Sequence, residues 1–271
     1  MSQQPQALLP RGLGALLDET FAIYGRHLRR WLVMAALVQV PVGLVSIGLG
    51  QISGIPAVGF VAYVLGVAGA VLVYSAIAYG VGQHYVTGAV EVRECYERAW
   101  WRVQSLTLLA LAPMAALLAI ALSLRYGGDL AGATLALLMV LLAVVAAVYW
   151  SMAVPAVVIE GKRALGSLKR GFALVQGSWW RALGIALTLV LVALGMAIIL
   201  TIPVGLAAAL SGGNLASRSM AVLIGAGDLV VTVVVPPVLM IAWTLLYNDL
   251  RVRKEEYDVA AMSRELGIAA T

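Results

Sequence analysis

Asp228 is the one acidic residue inside an otherwise apolar stretch of this chain. Ionisable groups inside a hydrocarbon layer are costly, and they mark pathways for ions or substrates. Two readings fit its surroundings. Residues 229–248 are free of charge, so Asp228 can sit at an outer interface and cap a helix after Gly225-Ala226-Gly227. Alternatively it is a buried polar group on an ion pathway, for which Gln39, Gln51 and Thr232 are the other candidates. A metal site needs several His, Cys or carboxylate ligands that converge. His27 and His84 are the only histidines, and Cys95, the only cysteine, has no Cys-x-x-Cys partner. The chain has neither a phosphate-binding G-x-x-x-x-G-K-[ST] loop nor a G-x-S-x-G nucleophile elbow. No metal, no cofactor and no catalysis are expected.

A second constellation is ionic. Glu160 follows Pro155 and can pair with Lys162, with Arg163 or with a basic junction elsewhere. Asp249, Arg251, Arg253 and Glu255 alternate in sign along one or two helical turns. They are expected to dock the C-terminal tail on the helices beside it, with Arg251 to Glu160 as the pairing to test by charge reversal. Arg181 closes the junction Trp179-Trp180-Arg181.

The elements that must carry these residues follow from composition. Only 11% of the chain is charged, against about 25% in soluble domains. With 62% apolar residues and a mean hydropathy of +0.98, one soluble core cannot hide the apolar surface. Disorder is excluded by the same numbers. The chain reads as an all-α integral membrane protein, because a helix satisfies its own backbone in lipid and the strand alternation of a barrel is missing. A crossing needs about 20 apolar residues. Six spans are expected, near 32–50, 57–82, 104–124, 130–150, 182–209 and 229–247. Pro236-Pro237 should kink the last. The first is read as a retained span, since Asp18 and Glu19 precede it and its apolar run is too long for a signal peptide.

Of the 18 basic residues, all but Arg125 and Arg218 fall on one side of this topology. By the positive-inside rule that side is cytoplasmic, together with both termini and the tail 248–271. The basic balance then reports topology and contact with anionic headgroups, and nucleic acid is not expected as a partner. Trp31, Trp100, Trp101, Trp179, Trp180 and Trp243 fall near the same interface, as an aromatic belt would.

Three cytoplasmic segments, near 11–30, 91–102 and 164–180, carry apolar residues at helical spacing, such as Leu13, Leu17, Phe21 and Tyr24, or Leu165, Leu168, Phe172 and Val175. Such amphipathic helices lie in the headgroup plane. Each precedes a basic-aromatic junction and a two-span hairpin, so a threefold repeat is expected. In the second span, Ala62-x-x-x-Gly66-x-x-x-Ala70 keeps small residues on one face. That favours close helix packing inside the bundle, with a homodimer seam as the alternative.

Two stretches carry a family resemblance. Val154-Pro155-Ala156-Val157-Val158-Ile159-Glu160-Gly161 leads into Ser167-Leu168-Lys169-Arg170-Gly171-Phe172, and the tail reads Leu246-Tyr247-Asn248-Asp249-Leu250-Arg251-Val252-Arg253. With the opening Leu17-Asp18-Glu19-Thr20-Phe21, these resemble the bacterial glycerophosphoryl diester phosphodiesterase membrane domain family and the related YciC-like membrane proteins. The resemblance implies a multi-pass protein of the bacterial cytoplasmic membrane. It implies no catalytic residue, because a phosphodiesterase barrel needs roughly 250 residues of its own. The expected function is non-enzymatic organisation of lipids or protein partners at the cytoplasmic face. The alternative is a permease-like subunit for a small solute or lipid.

Overall fold

A computed structural model describes residues 10–50, 56–102, 105–107, 109, 119–120, 130–210 and 218–268. Among these residues every regular element is a helix. The order is α1 (Leu13–Arg26), α2 (Leu28–Gly50), α3 (Pro56–Thr87), α4 (Val92–Trp101), α5 (Leu130–Ser151), α6 (Ala153–Val158), α7 (Ala164–Val175), α8 (Trp179–Leu210), α9 (Arg218–Glu255) and α10 (Val259–Leu266). Five stretches are long and apolar enough to cross a membrane: Leu28–Leu49, Val61–Thr87, Gly132–Val158, Trp179–Ala207 and Met220–Glu255. Most of the span expected near 104–124 lies outside the described residues, as does Gln51.

The bundle centres on α9, which packs on α1, α2, α3 and α8. Its sequence explains a departure from expectation. The helix begins at Arg218 and not near 229, so Asp228 lies ten residues inside it and caps nothing. Gly225 and Gly227 do not break the helix; they admit neighbours. A Cβ at Gly225 would stand 2.8 Å from Ile47 Cγ1 of α2, and one at Gly227 would stand 2.6 Å from Val204 Cγ2 of α8. The helix also runs on through Pro236-Pro237. Beside that break in the hydrogen-bond ladder, the Tyr24 hydroxyl donates to the Val234 carbonyl at 3.2 Å. At its far end α9 continues to Glu255, so residues 248–255 extend the helix and the separate tail is only α10.

α3 likewise runs past the expected limit, to Thr87. Its residues from Ser75 to Val86 are buried, because α4, α10 and Trp31 cover them. Small residues make that covering fit. A Cβ at Gly80 would meet the Trp31 ring at 3.0 Å, and one at Gly82 would meet Leu266 Cδ1 at 2.7 Å. The glycine of the expected small-residue stripe behaves otherwise: Gly66 has no atom within 4 Å of its would-be Cβ. Close approach to α2 occurs one turn on, where Gly69 faces Val38 at 3.1 Å.

The first expected interfacial segment, 11–30, divides at His27 into α1 and the start of α2. The segment 164–180 divides at Gly177, whose φ of +82° suits a residue without a side chain. The short helices also have two apolar faces instead of one stripe. In α7, Ala164, Ser167, Gly171 and Leu174 face inward, and a Cβ at Gly171 would stand 2.6 Å from the Tyr149 carbonyl oxygen. The expected stripe residues Leu165 and Phe172 are exposed, as is Phe21 of α1. The inward face of α7 thus mixes small residues with Leu174 and Val175, while Leu165 and Phe172 face outward.

Candidate functional site

At one end of the bundle the charged residues separate into paired and unpaired groups. The paired group lies around the last turns of α9. Asp249 is buried and accepts three hydrogen bonds: from Arg181 Nη2 at 2.9 Å, from Arg253 Nε at 3.0 Å and from the Arg11 backbone N–H at 2.6 Å. Arg253 sits one helical turn after Asp249, so α9 itself aligns that pair. The Arg11 carbonyl accepts from Arg181 and from Arg253, which locks the chain ahead of α1 to α8 and α9.

One turn away, Glu160 is buried at the end of the segment after α6. It accepts from Arg170 Nε at 2.8 Å and from the Tyr247 hydroxyl. Arg170 turns its other nitrogens to Glu255. Arg251 stands 3.5 Å from Glu160, but its closer partner is Glu265 of α10, which accepts from both terminal nitrogens at 2.8 Å. The Arg251 guanidinium also lies 3.5 Å from the centre of the Tyr257 ring, and the Tyr257 hydroxyl donates to Glu265 at 2.9 Å. Burial pushes the Glu265 carboxyl up, but the Arg251 hydrogen bonds and charge outweigh it and hold Glu265 below the usual glutamate range. Burial pulls the Arg170 guanidinium down, and Glu255 and Glu160 outweigh that too.

The candidates Glu160, Arg181, Asp249, Arg251, Arg253 and Glu255 therefore stand in these ion-pair groups, and Asp228 does not. Arg170, Glu265, Tyr247 and Tyr257 complete the set and were missed by sequence reasoning. Their partners lie on other elements, and no spacing rule links residues 160 and 247. The expected docking of the tail is made by Lys254 as well. Its ammonium donates to the carbonyls of Ala173 and Gln176 at the end of α7, where a helix leaves carbonyls without partners.

The unpaired group lies at the corner between α1 and α2. The side chains of Arg26, Arg29 and Arg30 have no hydrogen-bond or ion-pair partner among the described residues. With His27, Gly88 and Ala89 they line an open cleft of about 610 Å³. The His27 and His84 rings meet there at 3.0 Å between Nε2 and Nδ1. One ring must donate and the other accept, so at least one imidazole is neutral. Burial, followed by the charges of Arg30 and Arg26, pulls His27 below the usual histidine range. Leu28 and Arg29 also border a second groove of about 370 Å³, lined otherwise by Leu32, Val33, Ala36 and Val233. A basic cleft and an apolar groove thus share a wall.

Of the tryptophans, Trp100, Trp101 and Trp180 are strongly exposed, while Trp179 and Trp243 are half-buried. Trp31 is fully buried against Gly80, and its indole N–H donates to the Ile23 carbonyl at 3.1 Å. It is a core residue holding the corner at His27, and not an interfacial anchor. Cys95 is buried beside it, and burial pushes its thiol up to about 12. Among the described residues no three His, Cys, Asp or Glu side chains group closely enough to hold a metal ion. Comparison with protein-family models, curated proteins and solved structures finds no match to this chain.

Proposed function

We propose that this chain is a non-enzymatic, six-span protein of the bacterial cytoplasmic membrane that holds anionic phospholipid at its cytoplasmic face. One observation supports the reading: the cleft of Arg26, Arg29 and Arg30 adjoins the apolar groove of Leu28, Leu32 and Val33. A phospholipid has the same two parts in the same order, an anionic phosphate and apolar chains. Arginine matches phosphate oxygens with paired N–H donors, and basic pockets at the cytoplasmic ends of spans select anionic headgroups. Within this proposal both termini face the cytoplasm, α1, α4 and α7 lie at the headgroup level, and three related helix-plus-hairpin units build the chain. The likeness to the glycerophosphoryl diester phosphodiesterase membrane domain family belongs to the same proposal, as does association with a protein partner or a second copy.

The test is thermal unfolding of the purified protein in detergent with added lipid. Phosphatidylglycerol should raise the melting temperature more than phosphatidylcholine, and Arg26→Gln/Arg29→Gln/Arg30→Gln should erase the difference. Equal stabilisation by both lipids in the unaltered protein would overturn the proposal. A permease-like reading is favoured by a separate observation, an open groove bordered by Asp228.

A further inference from the structure

That groove lies between α2, α3 and α9, away from the charged end, and its volume is about 500 Å³. Its polar lining is Gln39, Ser46, Asp228 and Thr232, set among apolar residues such as Val42 and Ile47. Two of the helices that frame it, α2 and α9, meet closely at its wall. A Cβ at Gly43 would stand 2.6 Å from Leu229, and Gly225 abuts Ile47. The groove therefore opens beside a tight α2–α9 contact. Gly66 of α3 opens onto it, with nothing within 4 Å of its would-be Cβ.

Two of the polar groups lack partners. The Asp228 carboxylate has no hydrogen bond or ion pair among the described residues, and no Lys or Arg lines the groove. Gln39 is 7% exposed, borders the same space and has no side-chain hydrogen bond among the described residues. Thr232, by contrast, is satisfied by the carbonyls of Asp228 and Leu229. Asp228 is ten residues into α9 and is exposed on the open side of the groove, so a ligand can reach it. An unpaired carboxylate bordered by apolar walls attracts a cation. The space far exceeds what a bare ion fills and falls within the roughly 300–1,000 Å³ range of small-molecule sites. Its apolar walls would meet the ligand's bulk, while Asp228 would meet its charge and Gln39 would supply a dipole.

We propose that the groove between α2, α3 and α9 is an intramembrane binding site for a hydrophobic organic cation, with Asp228 as the counter-ion. This site is separate from the basic cleft, which attracts the opposite charge, and it does not depend on the lipid reading.

The probe is tetraphenylphosphonium, titrated calorimetrically into the full-length protein in a non-ionic detergent. The unaltered protein should bind it saturably. Asp228→Asn keeps the shape and removes the charge, and it should weaken binding at least tenfold. Gly66→Leu keeps the carboxylate and fills the groove from α3, and it should weaken binding by a similar factor. The arginine triple variant of the basic cleft should bind as the unaltered protein does. Absence of saturable binding to the unaltered protein overturns the proposal, as does unchanged binding in Asp228→Asn. Loss in Asp228→Asn with full binding in Gly66→Leu would overturn the placement in this groove.

Discussion

The arginines at the two ends of α1 meet opposite conditions. Arg11, just ahead of the helix, is tied through its backbone into the Asp249 group, whereas Arg26, in the last turn, faces an open cleft with no acid. The difference generalises to the whole charged end. Around the last turns of α9, Asp249, Glu160, Glu255 and Glu265 each meet two or three donors, and these charges hold α7, α8, α9 and α10 together. At the corner with α2, like charges stand side by side with no side-chain partner among the described residues. A bundle that only needed a stable end would place an acid there. Positive charges left unpaired beside an apolar groove are what the proposed binding of anionic lipid rests on.

The largest effect is expected at the buried anion. Asp249→Ala leaves Arg181, Arg253 and the Arg11 N–H without their acceptor and should cost about 3–5 kcal/mol, read as a loss of melting temperature in detergent. Arg251→Ala comes next, at about 3 kcal/mol, because it strips Glu265 of the two hydrogen bonds from Arg251, leaving only that from Tyr257, and uncovers the Tyr257 ring. The reciprocal swap Glu160→Arg/Arg251→Glu should restore none of that loss. Glu at 251 would face Glu265, and Arg at 160 would face Arg170. Recovery of stability by the swap would show that Glu160 is the principal partner of Arg251.

Sequence reasoning reached the paired region better than the unpaired one. Alternating charge marked Asp249, Arg251, Arg253 and Glu255, since an i,i+4 pair such as Asp249 and Arg253 is written in local spacing. It could not rank the partners of Arg251, because Glu160 lies 91 residues before it and Glu265 only 14 after it, and both fall within reach. Helix identity was legible from hydropathy, but helix ends were not. Gly225-Ala226-Gly227 reads as a break, yet the glycines are there to admit Ile47 and Val204. The same ambiguity hid Asp228 inside α9 and Trp31 inside the core: a Trp next to two arginines has the same sequence signature whether its ring faces lipid or Gly80.

Smaller effects sharpen the comparison. Folding holds Glu265 below the usual glutamate value, so its pairing stabilises the fold above about pH 4.3. That contribution is lost as pH falls further, through the folded-state value. His27 is held below the usual histidine value, so it too destabilises the fold on acidification, but over a higher window that opens below about pH 6.5. Melting temperature followed from pH 7 to pH 3 should therefore fall in two steps, and Arg251→Ala should shrink the lower one, where Glu255 still pairs with Arg170, and leave the upper one unchanged. Asp258 caps α10 by accepting from the Ala261 N–H at 2.7 Å, and Asp258→Ala should cost about 1 kcal/mol. Asn248 is buried with neither side-chain polar atom partnered, so Asn248→Leu should leave the melting temperature unchanged or raise it.

The central claim is that paired arginines hold the fold while unpaired ones hold anionic lipid. The most direct measurement is native mass spectrometry of lipid retained by two variants purified in parallel from the same membranes. The account predicts that Arg26→Gln/Arg29→Gln/Arg30→Gln keeps its stability within about 1 kcal/mol of the unaltered protein and loses bound phosphatidylglycerol. It predicts that Arg253→Gln loses stability and keeps the lipid. Full lipid retention in the triple variant, or loss of lipid from Arg253→Gln alone, would contradict it.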